Sequence, residues 1–403
     1  MIAESALNAS AELDDLLQET QADAMLRERT AFDRVLKESS GRVVIYGAGN
    51  LGRKILAGLR GAGTEVVAFA DRNPSLWSQT VDGLRVLDPR DAAAAHGDND
   101  MFVAAVWHPT RAVGVTGVLG DLRSIGCQNV TSFVPLFWRD AERYLPFYLW
   151  DLPSRALAVS DRIRAGFKLF EGDLESETLF LQQLRLRLHG TFECLAPPAA
   201  GEQYFPPFVQ PLTDECFIDC GAFDGDTVRA FLGWNKGKFA KVVAFEPDPD
   251  NAGALRAFAK ARPELVGRIE VRTDLIGDQT GQRRFNASGA ADAALSDTGS
   301  LEVSGTTLDA ALAGYAPTFI KMDIEGEELA ALRGSRGIIA QNRPILAICA
   351  YHLQNHLWEV PLLMATLLDN ARLGMVSHFR DGFDTVCYAV PQERHSKRDG
   401  VLR

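Results

Sequence analysis

The sequence predicts an α/β protein made of two doubly wound, mostly parallel sheets joined by a helical linker. Three observations carry that expectation. Short apolar segments alternate with helix-like segments twice along the chain, over 43–134 and again from Cys216. Each series opens with a strand that runs into a glycine-bearing turn and then a helix. The second series closes on two apolar segments, 375–379 and 385–390, separated by a turn around Arg380-Asp381-Gly382, which reads as an antiparallel hairpin.

The elements follow in order. Residues 1–40 form an N-terminal helical segment: Leu13, Leu16, Leu17, Met25, Leu26, Phe32, Val35 and Leu36 recur at helical spacing, and no Pro or Gly interrupts before Gly41. Its expected role is a lid or a dimer helix, and with it a homodimer. Residues 41–136 form the first sheet domain, with strands at 43–46, 65–70, 84–87, 101–106 and 130–134. Residues 137–212 form a linker subdomain: an aromatic group (Phe137, Trp138, Tyr144, Phe147, Tyr148, Trp150), a helical stretch over 154–192, and a proline-rich connection through Pro197-Pro198 and Pro206-Pro207. Those aromatics read as packing residues. Residues 213–393 form the second sheet domain, with strands at 216–220, 241–246, 268–273, 318–323, 345–351, 375–379 and 385–390, and 394–403 form a tail.

Composition sets outer bounds. A chain of 403 residues with 46% hydrophobic and 24% charged residues has material for two or three cores. A net charge of −11 disfavours phosphate backbones and anionic membranes, so neither nucleic acid nor membrane is an expected partner. No apolar run approaches the ~20 residues that span a bilayer, and the start, Met-Ile-Ala-Glu-Ser, is not a secretory signal. The six cysteines (Cys127, Cys194, Cys216, Cys220, Cys349, Cys387) form no C-x-x-C pair and read as reduced and mostly buried. The expected location is cytoplasmic.

The two glycine turns differ in charge. Gly47-Ala-Gly49-Asn50-Leu51-Gly52 is uncharged, is followed by Arg53 and Lys54, and has Asp71 about twenty residues on at the end of the second strand. That context suits a nucleotide phosphate at a helix N-terminus and a ribose diol on Asp71, hence a Rossmann-like module. NAD(P) or another nucleotide, a nucleotide-sugar included, is its expected ligand, and an empty tight turn is the alternative. The second turn, Asp219-Cys220-Gly221-Ala222-Phe223-Asp224-Gly225-Asp226-Thr227, carries carboxylates that favour the helix dipole and repel a pyrophosphate. It fits a cationic nucleoside without phosphate, such as S-adenosylmethionine, with Glu246 placed to chelate the ribose hydroxyls.

Six segments in order then identify a resemblance: Phe217 to Thr227, Val243-Ala-Phe-Glu-Pro-Asp248, Thr307-Leu-Asp309, Phe319-Ile-Lys-Met-Asp-Ile-Glu-Gly-Glu-Glu328, Leu332-Arg-Gly334 and Arg343-Pro-Ile-Leu346. Over roughly 214–392 the chain resembles the FkbM family of S-adenosylmethionine-dependent methyltransferases. The resemblance implies a class I methyltransferase sheet ending in an antiparallel hairpin. It also implies methyl transfer to a hydroxyl oxygen of a sugar, glycan or secondary metabolite. Residue by residue it implies a cofactor site at Asp219, Gly221, Ala222, Gly225, Thr227, Glu246, Asp274 and Asp323, where Asp274 stands in a segment that departs from the family's usual pattern. Asp323, Glu325 and Gly326 match the motif after the fourth strand. The loop 286–300 is expected near the substrate.

Ligands of open α/β sheets sit beyond the carboxyl ends of the strands, which puts Asp323, Glu325, Tyr351 and His352 at the reacting edge. The expected catalytic residues are His352, Asp323 and Glu325. His352 has the ordinary pKa best suited to a base near neutrality. His352 and His356 are spaced i, i+4, but no third ligand is evident and no metal is expected. The competing reading is an NAD(P)-dependent oxidoreductase or a nucleotide-sugar-binding protein acting through Gly47, Gly49, Asn50, Gly52 and Asp71. No Ser-Tyr-Lys relay is evident in 101–135 to support the oxidoreductase.

Overall fold

The computed structural model describes residues 2–107, 113–285 and 301–394. The loop 286–300 and residues 395–403 of the expected tail lie outside the described residues. The chain begins with two helices, α1 (Ile2–Leu17) and α2 (Gln21–Lys37), where the sequence reading expects one. Thr20 divides them: its side chain accepts from the Asp23 N–H and starts a new helix without any Pro or Gly. The apolar stripe is covered by the chain itself. Leu13, Leu16, Leu17, Ala24 and Phe32 are buried, with α1 against α10 and α2 against α6 and α8 (ranges below). Met25 and Leu26 are exposed. Most of the apolar stripe described here thus braces the linker.

The first sheet contains β1 (Val43–Tyr46), α3 (Asn50–Gly61), β2 (Val66–Ala70), β3 (Thr80–Val81), β4 (Leu84–Leu87), α4 (Pro89–His96), β5 (Met101–Ala104), α5 (Val115–Ser124) and β6 (Asn129–Ser132). Its strand order is β3-β4-β2-β1-β5-β6, parallel except for the short β3–β4 pair. The order reverses at β1, between β2 and β5, so the first glycine turn sits at a topological switch point. The linker supplies α6 (Val134–Arg139), α7 (Ala141–Tyr144), α8 (Pro153–Leu157), α9 (Ser160–Lys168) and α10 (Leu174–His189). The single helix expected over 154–192 is thus three. Gly172, at φ +89°, breaks the run and Asp173 caps α10.

The second sheet domain runs β7 (Glu215–Cys220), α11 (Asp226–Trp234), β8 (Phe239–Phe245), α12 (Pro249–Lys260), β9 (Ile269–Arg272), β10 (Leu275–Ile276), β11 (Gly281–Phe285), β12 (Leu301–Thr306), α13 (Leu308–Ala311), β13 (Phe319–Met322), α14 (Glu328–Arg333), α15 (Arg336–Asn342), β14 (Ile345–Cys349), α16 (His356–Leu367), β15 (Ala371–Ser377) and β16 (Thr385–Pro391). The main order is β15-β16-β14-β13-β7-β8-β9. β16 is antiparallel to both β14 and β15, so the terminal hairpin inserts its last strand into the sheet. Its turn returns to the carboxyl edge of β14. β7, β13, β14 and β16 are buried along their whole length, as expected for strands covered on both faces. A three-stranded sheet, β10-β12-β11, stands apart and was not anticipated.

Candidate functional site

The second glycine turn is shaped by contacts that only glycine permits. Gly221 leaves β7 at φ +79°, and a Cβ there would lie 1.8 Å from the Asp323 carbonyl oxygen. Gly225, at φ +92°, opens α11 with a Cβ position 2.5 Å from Leu255 Cδ1. Gly221 and Ala222 both donate their N–H to the Phe245 carbonyl, so Ala222 is buried as part of the turn's foundation. Glu246, at the end of β8, accepts from Phe223 N–H at 2.8 Å and from Asp248 N–H at 2.9 Å. Burial raises its carboxyl pKa although these two bonds pull it down. Asp219 does not face the mouth. It is fully buried 2.9 Å from Lys321 Nζ, which also donates to the Gly221 carbonyl at 2.6 Å. Asp219 therefore holds the turn through Lys321. Thr227 is buried in the first turn of α11, Asp274 is half-buried just beyond β9, and Asp224 pairs at the surface with Arg229.

These features fit S-adenosylmethionine. The turn packs so closely on the Asp323 carbonyl that only glycine fits at 221, the Glu246 carboxylate stands beside it just beyond β8, and no cation lies in the turn itself.

Around the next strand ends the chain gathers a polar cluster. Asp323 accepts from Tyr204 O–H at 2.7 Å and from Tyr351 O–H at 3.2 Å. His352 Nδ1 lies 2.8 Å from Glu328 Oε1, and Glu328 Oε2 lies 3.2 Å from His356 Nδ1. The other nitrogen of His352, Nε2, faces Asp323 Oδ1 at 3.3 Å and Glu325 Oε2 at 3.7 Å. Burial opposes charge on this ring, but Glu328, then Glu325 and Asp323, outweigh it and push the pKa up to about 10. With no cation at Nε2 these carboxylates favour the protonated ring, so the surroundings of His352 do not favour the free base that the sequence suggests. The two histidines do not share a helix face either. His356 opens α16, His352 precedes it, and they share one carboxylate.

Asp384, in the β15–β16 turn, joins the cluster. Burial, then the facing Asp323 carboxylate, push its carboxyl up to about 7, while a hydrogen bond from Tyr351 opposes the shift. Four non-glycine residues here hold positive φ: Tyr204 (69°), Phe223 (44°), Glu325 (53°) and Asp384 (48°). Strained backbone of this kind concentrates at functional sites.

The first glycine turn repeats the architecture. Gly47 lies at φ +110° with a Cβ position 2.8 Å from the Ala105 carbonyl, and a Cβ on Gly52 would lie 1.9 Å from the Gly47 carbonyl. Gly49 opens onto free space and Asn50 is exposed at the start of α3. Asp71 accepts from Ala48 N–H and from Asn73 N–H, each at 2.8 Å, as Glu246 does in the other domain. The two carboxyl edges meet. Trp107, beyond β5, donates to the Asp381 carbonyl at 3.2 Å and stacks on Phe383 at 4.2 Å. The Asp381 carboxylate accepts from Val115 N–H at 3.0 Å, at the start of α5. Tyr148 lies between, with its ring 5.5 Å from Trp107 and 6.3 Å from His352.

Sequence reasoning missed Lys321, Glu328, Tyr204 and Asp384. The first two stand inside the segment 319–328 that carries the resemblance, where an isolated lysine in an apolar strand was a usable signal. Tyr204 and Asp384 sit in a proline-rich connection and a turn, with nothing local to mark them.

Residues 219–373 match the model of the methyltransferase FkbM domain. No curated protein matches the chain. Among solved structures, the methyltransferase FkbM from Methylobacillus flagellatus is 22% identical, with 95% of this chain and 100% of that chain covered and a TM-score of 0.70, so the two share a fold from end to end. An rRNA methylase from Streptococcus thermophilus is 15% identical over 46% of this chain and 90% of its own, with a TM-score of 0.26. RSP, a Rex-family repressor, is 22% identical over 26% of this chain and 50% of its own, with a TM-score of 0.21. Among the described residues no helix is long and apolar enough to cross a membrane.

Proposed function

We infer, from the FkbM methyltransferase domain that residues 219–373 carry, that this chain is an S-adenosylmethionine-dependent O-methyltransferase acting on a hydroxyl of a sugar, glycan or secondary metabolite. The observation that supports this best is the placement of the Asp323–Tyr204–Tyr351–Asp384 cluster on the same sheet edge as the turn held by Glu246. When bound, S-adenosylmethionine supplies a methyl group on a sulfonium leaving group. The turn from Gly221 to Gly225 and Glu246 orient the nucleoside, and Lys321 keeps the turn closed. The acceptor lies over the edge against Tyr148 and Phe383. Its O–H proton passes to the Asp384 carboxylate as the new O–C bond forms and the methyl–sulfur bond breaks. Protein groups here position and take a proton, which is all that in-line displacement requires.

Calorimetric titration with S-adenosylmethionine tests the cofactor, expecting one site in the wild type and loss in Glu246→Ala. In Asp384→Asn, S-adenosylmethionine binding persists and turnover on a sugar or polyol acceptor falls about 10²–10⁴-fold. Failure of the wild type to bind S-adenosylmethionine overturns the reading. A nucleotide in the first domain is proposed on the open face of Gly49 and the Asp71-held turn. Titration with NAD, NADP and a nucleotide-sugar in the same series tests it.

A further inference from the structure

Two carboxylates, Asp323 and Glu325, face one buried ring nitrogen at the carboxyl edges of β13 and β14. His352 is almost wholly buried, and its Nδ1 is fixed by Glu328. Its Nε2 has no hydrogen-bond partner, yet it is aimed between Asp323 and Glu325. A charged N–H directed at a carboxylate settles at about 2.7–2.9 Å on a nearly straight line. The separations here are 3.3 and 3.7 Å. The first is the spacing of neighbouring ligands around one cation, and the second is a few tenths of an ångström longer. With metal–nitrogen and metal–oxygen bonds of about 2.0–2.2 Å, two ligands at right angles or at tetrahedral angles stand roughly 3.0–3.5 Å apart. The ligand atoms of Asp323, Glu328 and His352 all fall within 4.8 Å of one another.

The arrangement behind the imidazole is that of a metal ligand. A ligating histidine almost always gives its second ring nitrogen to a carboxylate, which fixes the tautomer and the ring plane. Glu328 does this for His352 and is itself held by His356 and by Ile324 N–H at 2.8 Å. Asp323 and Glu325 keep part of their side chains at the surface, about a fifth of each, so an ion has a way in.

We propose that Asp323, Glu325 and His352 bind one divalent first-row cation, with Glu328 as the carboxylate that orients the imidazole. Two carboxylates with one imidazole suit Mn2+ or Zn2+ better than the all-oxygen cations Mg2+ and Ca2+. Ion binding stands independently of the methyltransferase reading, while its use rests on that reading. A cation there would keep coordination positions for an acceptor with two adjacent oxygens and would lower the pKa of the hydroxyl to be methylated.

The test is Mn2+ binding to the full-length protein after dialysis against chelator, followed by electron paramagnetic resonance, with S-adenosylmethionine titrated separately into the metal-free protein. The expected result is one Mn2+ per chain with a 14N coupling from imidazole. His352→Gln abolishes the coupling. Asp323→Asn weakens Mn2+ at least tenfold. Glu328→Gln weakens it about 10–100-fold, as loss of an orienting partner does. Glu325→Gln, a change at a part-exposed side chain, weakens binding in a protein whose circular dichroism and melting are unchanged, which separates ligand loss from misfolding. Absence of Mn2+ and Zn2+ binding, or Mn2+ binding with no 14N coupling, overturns the site. S-adenosylmethionine binding to a protein that takes up no metal overturns only the metal site. Metal uptake without S-adenosylmethionine binding overturns only the proposed function.

Discussion

Asp219 and Lys321 lie on the two strands that flank the topological switch point, fully buried and 2.9 Å apart. Burial pushes the Asp219 carboxyl up to about 6 against the pull of the lysine. Removing one partner leaves the other charge uncompensated in the core, which costs about 3–5 kcal/mol. Lys321→Met is therefore expected to lose that much in urea unfolding. Lys321→Met combined with Asp219→Asn recovers most of it. A single variant within about 1 kcal/mol of wild type would show that the pair does not hold the turn. The same residues show what one sequence can and cannot convey. Glu246, Asp323, Glu325 and His352 were legible because each follows a strand, and strand ends locate the reacting edge. The state of His352 was not, because it is set by Glu328, 24 residues away. Tyr204 reaches Asp323 across 119 residues, and no local pattern encodes such a pairing.

Regular elements were read more securely than their interruptions. Most strands of both main sheets fall close to the expected segments, since a short buried apolar run bounded by turn residues has few other uses. The breaks at Thr20 and Gly172 were passed over because a cap stops a helix through side-chain geometry that periodicity does not report. β10 was missed because a two-residue strand is too short to show alternation, and β11 because Gly-Gln-Arg-Arg-Phe holds no apolar run. Glycine geometry gives a direct check on the β1–α3 unit. In Gly52→Ala the new Cβ meets the Gly47 carbonyl at 1.9 Å, and the obstacle is backbone that cannot swing aside. The variant is expected to lose about 1–3 kcal/mol. Gly49→Ala meets nothing within 4 Å and should melt like wild type. Equal melting of the two proteins would contradict the close helix–strand contact. A nucleotide affinity lost only in Gly49→Ala would mark the face that a ligand approaches.

At the scale of the whole molecule, the two sheet domains are joined edge to edge at the place where the second one reacts. Asp381 caps α5 of the first domain, Phe383 stacks on Trp107, and Asp384, the proposed proton acceptor, is the next residue in the same turn. The turn is thus held from the first domain while it serves the second. An N-terminal cap is worth about 0.5–2 kcal/mol, and a stacked aromatic pair about 0.5–1.5 kcal/mol beyond the area it buries. Trp107→Ala with Asp381→Ala removes both without touching the cofactor turn. S-adenosylmethionine affinity should stay within about twofold, because Gly221, Glu246 and Lys321 keep their partners. Acceptor kcat/KM should fall at least tenfold, as about 1.4 kcal/mol of positioning energy is lost from the turn that carries Asp384. Asp381→Asn alone keeps an oxygen at the cap and should sit between the two. Unchanged kcat/KM in the double variant would mean that the turn keeps its place without the first domain. The first domain would then have to act through its own glycine turn and not by supporting the edge that carries Asp384.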